Sequence, residues 1–290
     1  MGGLALSIVL ASALLHASWN YLTKKSQRKL PFIWLALLTS VFLFLPMFLY
    51  WWPDTTIYYP GWNCILASSL LHALYFCFLG GAYERGDLSL VYPISRGFGP
   101  LFIPLFAVIL LHEQLTLPGI AGIAVVVLGI YSIHLQSFSR RSFLQPFLAA
   151  RGKASLWALF TGAAITSYSL VDKVGVDTVY PPIYIYLMLV GSVVFLSPYV
   201  LLRERVWLKQ EWALNKGAIV LVGFLANFTY LLVLFAMSMS KVSYVVAVRE
   251  VSIVFSALFG VMWLGEKHAL HKLLGAVLIT LGVILIALSR

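Results

Sequence analysis

The chain has 290 residues, of which 61% are hydrophobic and 10% charged, and its formal net charge is +10. A soluble domain of this length carries about 25% charged residues. The composition therefore excludes a water-soluble globular protein and indicates a protein embedded in a lipid bilayer. The positive charge does not indicate nucleic-acid binding, because the lysines and arginines stand in short loops between apolar runs, as the positive-inside rule expects.

Apolar runs of about 20 residues, the length needed to cross a bilayer, follow one another along the chain. We predict ten spanning helices, over residues 2–22, 32–52, 61–83, 88–111, 117–135, 154–173, 182–202, 214–238, 242–264 and 269–288. The first run is too long for the apolar core of a cleavable signal peptide and lacks a basic start, so we expect it to be helix 1.

The chain divides into two units joined by a basic linker. The first unit covers residues 1–136 with helices 1–5, the linker covers residues 137–153, and the second unit covers residues 154–290 with helices 6–10. Because five is odd, the second unit must enter the membrane from the opposite side. We therefore predict an all-α integral membrane protein built as two inverted five-helix repeats.

A repeat with an offset of 153 positions supports this division. It pairs Arg96 with Arg249, Glu113 with Glu266, Gly122 with Gly275 and Gly129 with Gly282. The runs that contain the two glutamates, LFAVILLHEQL and LFGVMWLGEKH, are alike. We interpret the glutamates as loop and cap residues, and the glycines as small residues that allow close helix contact.

The basic residues are distributed unequally between the two sides of the predicted membrane. The loops after helices 1, 3, 5, 7 and 9 hold fifteen lysines and arginines, and the other side holds three. By the positive-inside rule the fifteen lie in the cytoplasm, which places both termini outside.

Two arginines lie near the middle of predicted helices, where each costs about 2.5–3.5 kcal/mol on insertion scales. Arg96 is on helix 4 and Arg249 on helix 9. Either they contact a substrate or gate, or they bind backbone carbonyls and buried acids in a structural network. Glu250 does not face its neighbour Arg249, but it could pair with Arg96 across the interface or carry protons.

Helix 4 contains Pro93 and Pro100 beside Gly97 and Gly99. Proline removes an amide donor and clashes with the preceding turn, so we expect this helix to be kinked or broken. Irregular backbone at this depth is tolerated where it lines a cavity, which makes Pro93 and Pro100 gating candidates. A packing kink is the alternative.

Polar and aromatic side chains recur on one face of three further helices, because residues three or four apart share a face. The groups are His16, Trp19 and Asn20 on helix 1, His72 and Tyr75 on helix 3, and Asn227 and Tyr230 on helix 8. Tyr92, Tyr168 and Tyr244 are further candidates for aromatic walls. Each side chain either lines a shared cavity or makes ordinary interhelical contacts.

The stretches 89–133 and 243–286 resemble the EamA repeat of the drug/metabolite transporter superfamily. The shared marks are a run of small and aromatic residues, a glutamate that ends it, and an apolar helix with two glycines seven positions apart. The resemblance covers essentially the whole chain. It implies export of amino acids or drugs, or exchange of phosphorylated or nucleotide sugars, and it implies cytoplasmic termini, in conflict with the charge count.

The sequence thus predicts a secondary transporter, a multi-pass permease of a prokaryotic inner membrane, which moves a small organic solute by alternating access through a midplane cavity. Two arginines favour an amino acid, an organic anion or a phosphonate. We expect a monomer or a homodimer, coupled to protons or exchanging substrates, with no nucleic-acid partner, cofactor or metal. An intramembrane enzyme and a non-transporting membrane receptor are the alternatives.

Overall fold

The computed structural model describes residues 1–23, 26–85, 88–134, 152–255 and 270–289. Ten α-helices make up nearly all of this part of the chain. They are α1 (Gly3–Thr23), α2 (Lys29–Trp51), α3 (Gly61–Arg85), α4 (Leu88–Leu110), α5 (Leu117–His134), α6 (Lys153–Val176), α7 (Pro181–Arg203), α8 (Arg205–Met239), α9 (Val242–Arg249) and α10 (Leu270–Leu288). Each predicted helix has a counterpart, which confirms the all-helical fold.

Five of these helices, α2, α3, α6, α7 and α8, are long and apolar enough to cross a membrane. The described apolar stretches of α1, α4, α5 and α10 are shorter, at 10–17 residues. A helix is the expected form for such segments, because it bonds every backbone amide within the segment where lipid offers no partner.

The two halves run in opposite directions. One end of the molecule, here called the terminal face, gathers Gly3, Glu113, Lys173 and Ser289. The other end, the basic face, gathers residues 27–31, Arg85, Trp157 and Glu204. α1 therefore starts at the terminal face and α6 starts at the basic face, so equivalent helices of the two halves are antiparallel.

The helices of the two halves interdigitate. The most extensive contacts are α5 with α10, α3 with α6, α1 with α8 and α2 with α8, and all of them join one half to the other. Exchanging the halves converts the α3–α6 contact into the α8–α1 contact. The packing therefore follows the two-fold relation that the repeat predicts.

The repeated glycines stand where α5 crosses α10. A Cβ atom on Gly122 would lie 2.7 Å from the carbonyl oxygen of Gly282, and one on Gly129 would lie 2.8 Å from that of Gly275. Both distances are too short for a real side chain. The interpretation of these glycines as close-contact residues agrees with this geometry.

Glu113 caps a helix of the other half. Its carboxylate accepts hydrogen bonds from the Val242 amide at 2.6 Å and from the Ser243 hydroxyl at 2.5 Å. Lys241 at the N-cap of α9 makes no side-chain cap bond, so Glu113 supplies the missing acceptor. Its repeat partner Glu266 lies outside the described residues.

Helix 4, predicted to be kinked or broken, is not broken in the structure, whereas helix 9 is. α4 is one α-helix from Leu88 to Leu110, whereas α9 ends at Arg249, Glu250 forms a turn, and helix resumes over residues 251–255. α8 also begins nine residues earlier than predicted and changes direction at Asn215, whose φ is −126° and ψ 18°.

Candidate functional site

A cavity of about 90 Å³ lies among the central helices, with walls from α1, α2, α3, α6, α7, α8 and the end of α9. By volume it has room for several water molecules. We did not expect α2 and α7 to contribute to it, yet Ala36 and Leu37 come from the first, and Met188 and Ser192 from the second. The cavity therefore involves both halves almost symmetrically.

Eight of the twelve predicted binding residues line this cavity. They are His16, Trp19, His72, Tyr75, Tyr168, Asn227, Tyr230 and Arg249. Their convergence follows from the packing of α3 on α6 and of α1 on α8, which turns the polar faces of these helices toward one another.

The remaining predicted site residues are of two kinds. Some do not line the cavity, and the side chains of the others are not among the described ones. The side chains of Asn20, Tyr92, Pro93 and Arg96 lie outside the described residues, and so does the suggested pairing of Glu250 with Arg96. Pro100 is buried within α4 and does not line the cavity. Glu250 is also buried, at 3% exposure, in the turn that ends α9.

Tyr244 lies away from the cavity, contrary to our expectation. It is in the first turn of α9 near the terminal face, where its hydroxyl accepts a hydrogen bond from the Thr116 amide at 3.1 Å. The ring also fills the space beside Gly119, where a Cβ atom would clash with it. Tyr244 and Arg249 are five positions apart on α9, more than one helical turn, and Tyr244 does not line this cavity.

Aromatic rings form one wall of the cavity. His72 stacks on Tyr168 with ring centroids 4.0 Å apart and an interplanar angle of 27°. Tyr230 meets His72 edge-on at 5.3 Å, and Tyr75 meets Tyr168 edge-on at 5.8 Å. Such a cluster presents both ring faces and ring edges, and it can hold a flat apolar group.

Hydrogen bonds fix the orientation of His72. Its Nδ1 lies 3.0 Å from the Ser68 carbonyl oxygen and 3.1 Å from the Ser68 hydroxyl. A carbonyl oxygen can only accept, so Nδ1 carries a proton and donates. These bonds hold the imidazole ring in its stacked position on Tyr168.

Asn227 serves as an interhelical tie as well as a lining residue. Its Nδ2 donates to the Ser40 hydroxyl at 2.7 Å and to the Gly223 carbonyl at 3.2 Å. Ser40 in turn donates to the Gly223 carbonyl at 2.7 Å. The three groups join α2 to α8 at a tight contact, where a Cβ atom on Gly223 would lie 2.6 Å from the Ala36 carbonyl oxygen.

Arg249 provides a positive charge in the cavity. Its guanidinium carbon lies 5.7 Å from the centroid of the Tyr230 ring, a cation–π contact. Its buried Nε has no hydrogen-bond partner among the described residues, and the same holds for Trp19 Nε1 and Thr229 Oγ1. An unpartnered buried donor costs about 1–3 kcal/mol, so a ligand that accepts hydrogen bonds would relieve these groups.

The sequence analysis missed a buried acid next to this site. Asp172 on α6 is 0% exposed. Its Oδ1 accepts a hydrogen bond from the Tyr184 hydroxyl at 2.8 Å, and its Oδ2 accepts one from the Tyr230 hydroxyl. The available signal was an acidic residue within an apolar helix, and such residues are rare and commonly functional.

Two inverted helical units around a cavity with polar and charged walls are the architecture of a membrane transport protein. The model of the EamA-like transporter family matches residues 3–135 and 152–288. This chain belongs to that family.

One solved crystal structure of another protein is similar in fold to this chain. The superposition has a TM-score of 0.73 at 18% sequence identity and covers 98% of this chain and 97% of that one. At this identity the likeness concerns the fold alone, and it extends over both halves.

Proposed function

We propose that this protein is a secondary transporter with ten membrane spans, which carries a small organic anion or zwitterion with a flat apolar part through the central cavity. Membership of a transporter family supports transport. The cavity between inverted halves supports alternating access, in which the halves move relative to one another around a fixed site.

The position of Arg249 in the cavity is the observation that supports an anionic substrate. A guanidinium binds carboxylate, phosphate and phosphonate groups through two parallel hydrogen bonds. Arg249 is the positive group in the described cavity lining, and its Nε has no partner. Trp19 offers a second unpartnered donor to the same ligand.

The aromatic wall supports an apolar part on the same ligand. His72, Tyr168, Tyr75 and Tyr230 all line the cavity and pack against one another in stacked and edge-on pairs. A benzene ring in the cavity would add a contact of the same kinds. We therefore favour aromatic carboxylates, aromatic phosphonates and aromatic amino acids over small sugars.

Movement of the halves is supported by the interruption of α9. The segment Val242–Arg249 ends at the turn formed by Glu250, so Arg249 stands at a joint between two helical segments. Rotation at this joint would move the guanidinium relative to the aromatic wall. The same rotation would take place whether transport is coupled to protons or exchanges one substrate for another.

The test is a series of ligands that share one benzene ring and differ in the charge of the group attached to it. Thermal unfolding of the purified protein is measured with benzoate, phenylphosphonate, phenylalanine, benzyl alcohol and benzylamine. Ligand binding stabilises by about 2.7 kcal/mol when the ligand concentration is 100 times Kd. We expect benzoate or phenylphosphonate to raise the melting temperature most, and benzylamine to have no effect.

A second measurement separates a transporter from a non-transporting receptor. Liposomes that contain the protein and are loaded with unlabelled benzoate should accumulate labelled benzoate from outside, and liposomes with Arg249→Ala protein should not. Binding without accumulation would contradict transport. Equal stabilisation by benzyl alcohol and benzoate would contradict the role of Arg249.

A further inference from the structure

Asp172 is a buried acid that the proposed transport site does not use. Both of its oxygens accept hydrogen bonds from tyrosine hydroxyls, those of Tyr184 on α7 and Tyr230 on α8. A buried acidic group within a membrane-spanning helix is energetically expensive and usually serves a function. Holding two tyrosines in place would not require a charge.

Tyr230 connects this acid to the cavity. Its ring lines the cavity, its hydroxyl donates to Asp172, and the guanidinium of Arg249 lies over the same ring. Tyr230 thus contacts an acid through its hydroxyl group and a cation through its ring. An anion that binds Arg249 brings a second negative charge into the neighbourhood of Asp172.

Among the described side chains, few charged groups lie near Asp172. Its titratable neighbours are Cys64 and His72 on α3, Tyr168 one turn earlier on α6, Tyr184 on α7 and Tyr230 on α8, and the nearby cation is Arg249 on α9, whose guanidinium lies over the Tyr230 ring. Lys173, the next residue on α6, bonds instead to Asp177 at 2.7 Å and to the Met237 carbonyl at 2.8 Å. In the described part of α4, residues 97–110 include no titratable side chain.

We propose that binding of an anion at Arg249 is coupled to the uptake of one proton by Asp172. The inference rests on the proposed function. Two negative charges in a poorly solvated site repel each other strongly, and a proton on Asp172 removes the repulsion. The effect is reciprocal: the anion favours the proton, and the proton favours the anion by the same factor.

The hydrogen bonds around Asp172 can accommodate both protonation states. A proton from bulk water adds to Oδ1, and the neutral carboxyl group must then donate, whereas the carboxylate only accepts. Tyr184 can adapt, because its hydroxyl also lies 3.3 Å from the Cys64 carbonyl. It would turn its own proton to that carbonyl and accept the bond from Asp172, while Tyr230 continues to donate to Oδ2.

The test measures protons and benzoate together. Benzoate is added to weakly buffered wild-type protein, at pH values where benzoate is ionised, and proton uptake is followed with an indicator dye. We expect about one proton per benzoate bound, and a benzoate Kd about tenfold lower at the acidic end of the range, a typical size for coupling between sites. Asp172→Asn should bind benzoate without proton uptake and with a Kd that does not depend on pH.

Asp177→Asn is the matched control. It is the same chemical change just beyond the end of the same helix, on a side chain that is 45% exposed, and it should behave as wild type. Benzoate binding by wild type without proton uptake would overturn the inference and leave the proposed function intact. Uptake that persists in Asp172→Asn would also overturn it.

Two further outcomes complete the test. If no anion of the series binds, the proposed function and this inference both fail. If Asp172→Asn does not fold, Asp172→Glu replaces it, and infrared difference spectra with and without benzoate are compared. The C=O band of a newly protonated carboxyl group should appear in wild type and shift in Asp172→Glu, and an absent or unshifted band would overturn the inference.

Discussion

Gly122 and Gly282 touch backbone to backbone. A Cβ atom on Gly122 would lie 2.7 Å from the Gly282 carbonyl oxygen, and a Cβ atom on Gly282 would lie 2.6 Å from the Gly122 carbonyl oxygen. The repeat pairs Gly122 with Gly275 and Gly129 with Gly282, so the two-fold relation converts this contact into that of Gly129 with Gly275, where the corresponding distances are 2.8 Å and 2.6 Å. Neither helix has room to give way on its own.

Substituting one of these glycines should therefore damage the fold. Gly122→Ala should destabilise the protein by about 1–3 kcal/mol, the typical effect of overpacking, and Gly129→Leu and Gly282→Leu should reduce the yield of folded protein. Thermal unfolding and yield in mild detergent are the measurements. Gly217→Ala is the control, because nothing lies within 4 Å of the added atom. Normal yield combined with an altered ligand preference would contradict the structural role.

Arg249 should affect affinity more than stability. Arg249→Ala removes one partner of a buried charge pair with the bound anion, which costs about 2–5 kcal/mol, or roughly a 30-fold to several-thousand-fold rise in the benzoate Kd. Arg249→Lys keeps the charge without the bidentate fork and should fall between wild type and Ala. Its repeat partner Arg96 remains a prediction of the same kind. Arg203→Ala, at the exposed end of α7, should leave the Kd unchanged.

Glu113 should act on the stability of α9. Glu113→Ala removes the acceptor for the Val242 amide and the Ser243 hydroxyl, and loss of a helix cap costs about 0.5–2 kcal/mol. We expect a lower melting temperature with an unchanged benzoate Kd for the folded fraction. Glu204→Ala is the control, because Glu204 stands at the N-cap of α8 but makes no side-chain cap bond. A large effect on Kd with no effect on stability would argue for a direct role in binding.

Labelling should find both ends of the chain on one side of the membrane. The Met1 amine donates to the Ser289 carbonyl at 2.6 Å, so the two lie together at the terminal face. Cysteines introduced at positions 1 and 290 should react with an impermeant thiol reagent added on the same side of the membrane. The charge count predicts that they react from outside the cell, and the reverse result would favour the orientation that the family resemblance implies.

The polar faces of the helices were predictable from the sequence because they depend on local spacing. His16 with Trp19, and His72 with Tyr75, lie three residues apart and so had to share a face. The structure places all four at one cavity. The inverted pairing of the halves was predictable for a similar reason, since it follows from the odd number of helices in each repeat.

Asp172 and the joint in α9 were not predictable in this way. Asp172 stands near the end of a predicted span beside Lys173, where a charged pair is ordinary, and only the packing of α7 and α8 around it reveals its burial. The joint at Glu250 contains neither proline nor glycine. The prolines of α4 did suggest a break, but neighbouring helices can compensate for the amide that a proline lacks.

The interdigitated contacts have a consequence for how the protein forms. Because the largest helix contacts join the halves, a five-helix repeat released alone from the ribosome would expose to lipid the surfaces that its counterpart later covers. Each repeat is a unit of sequence but not an independent folding unit. The first half can therefore complete its packing only after the second half has been made. Halves that are produced separately should become stable only when both are made in the same cell.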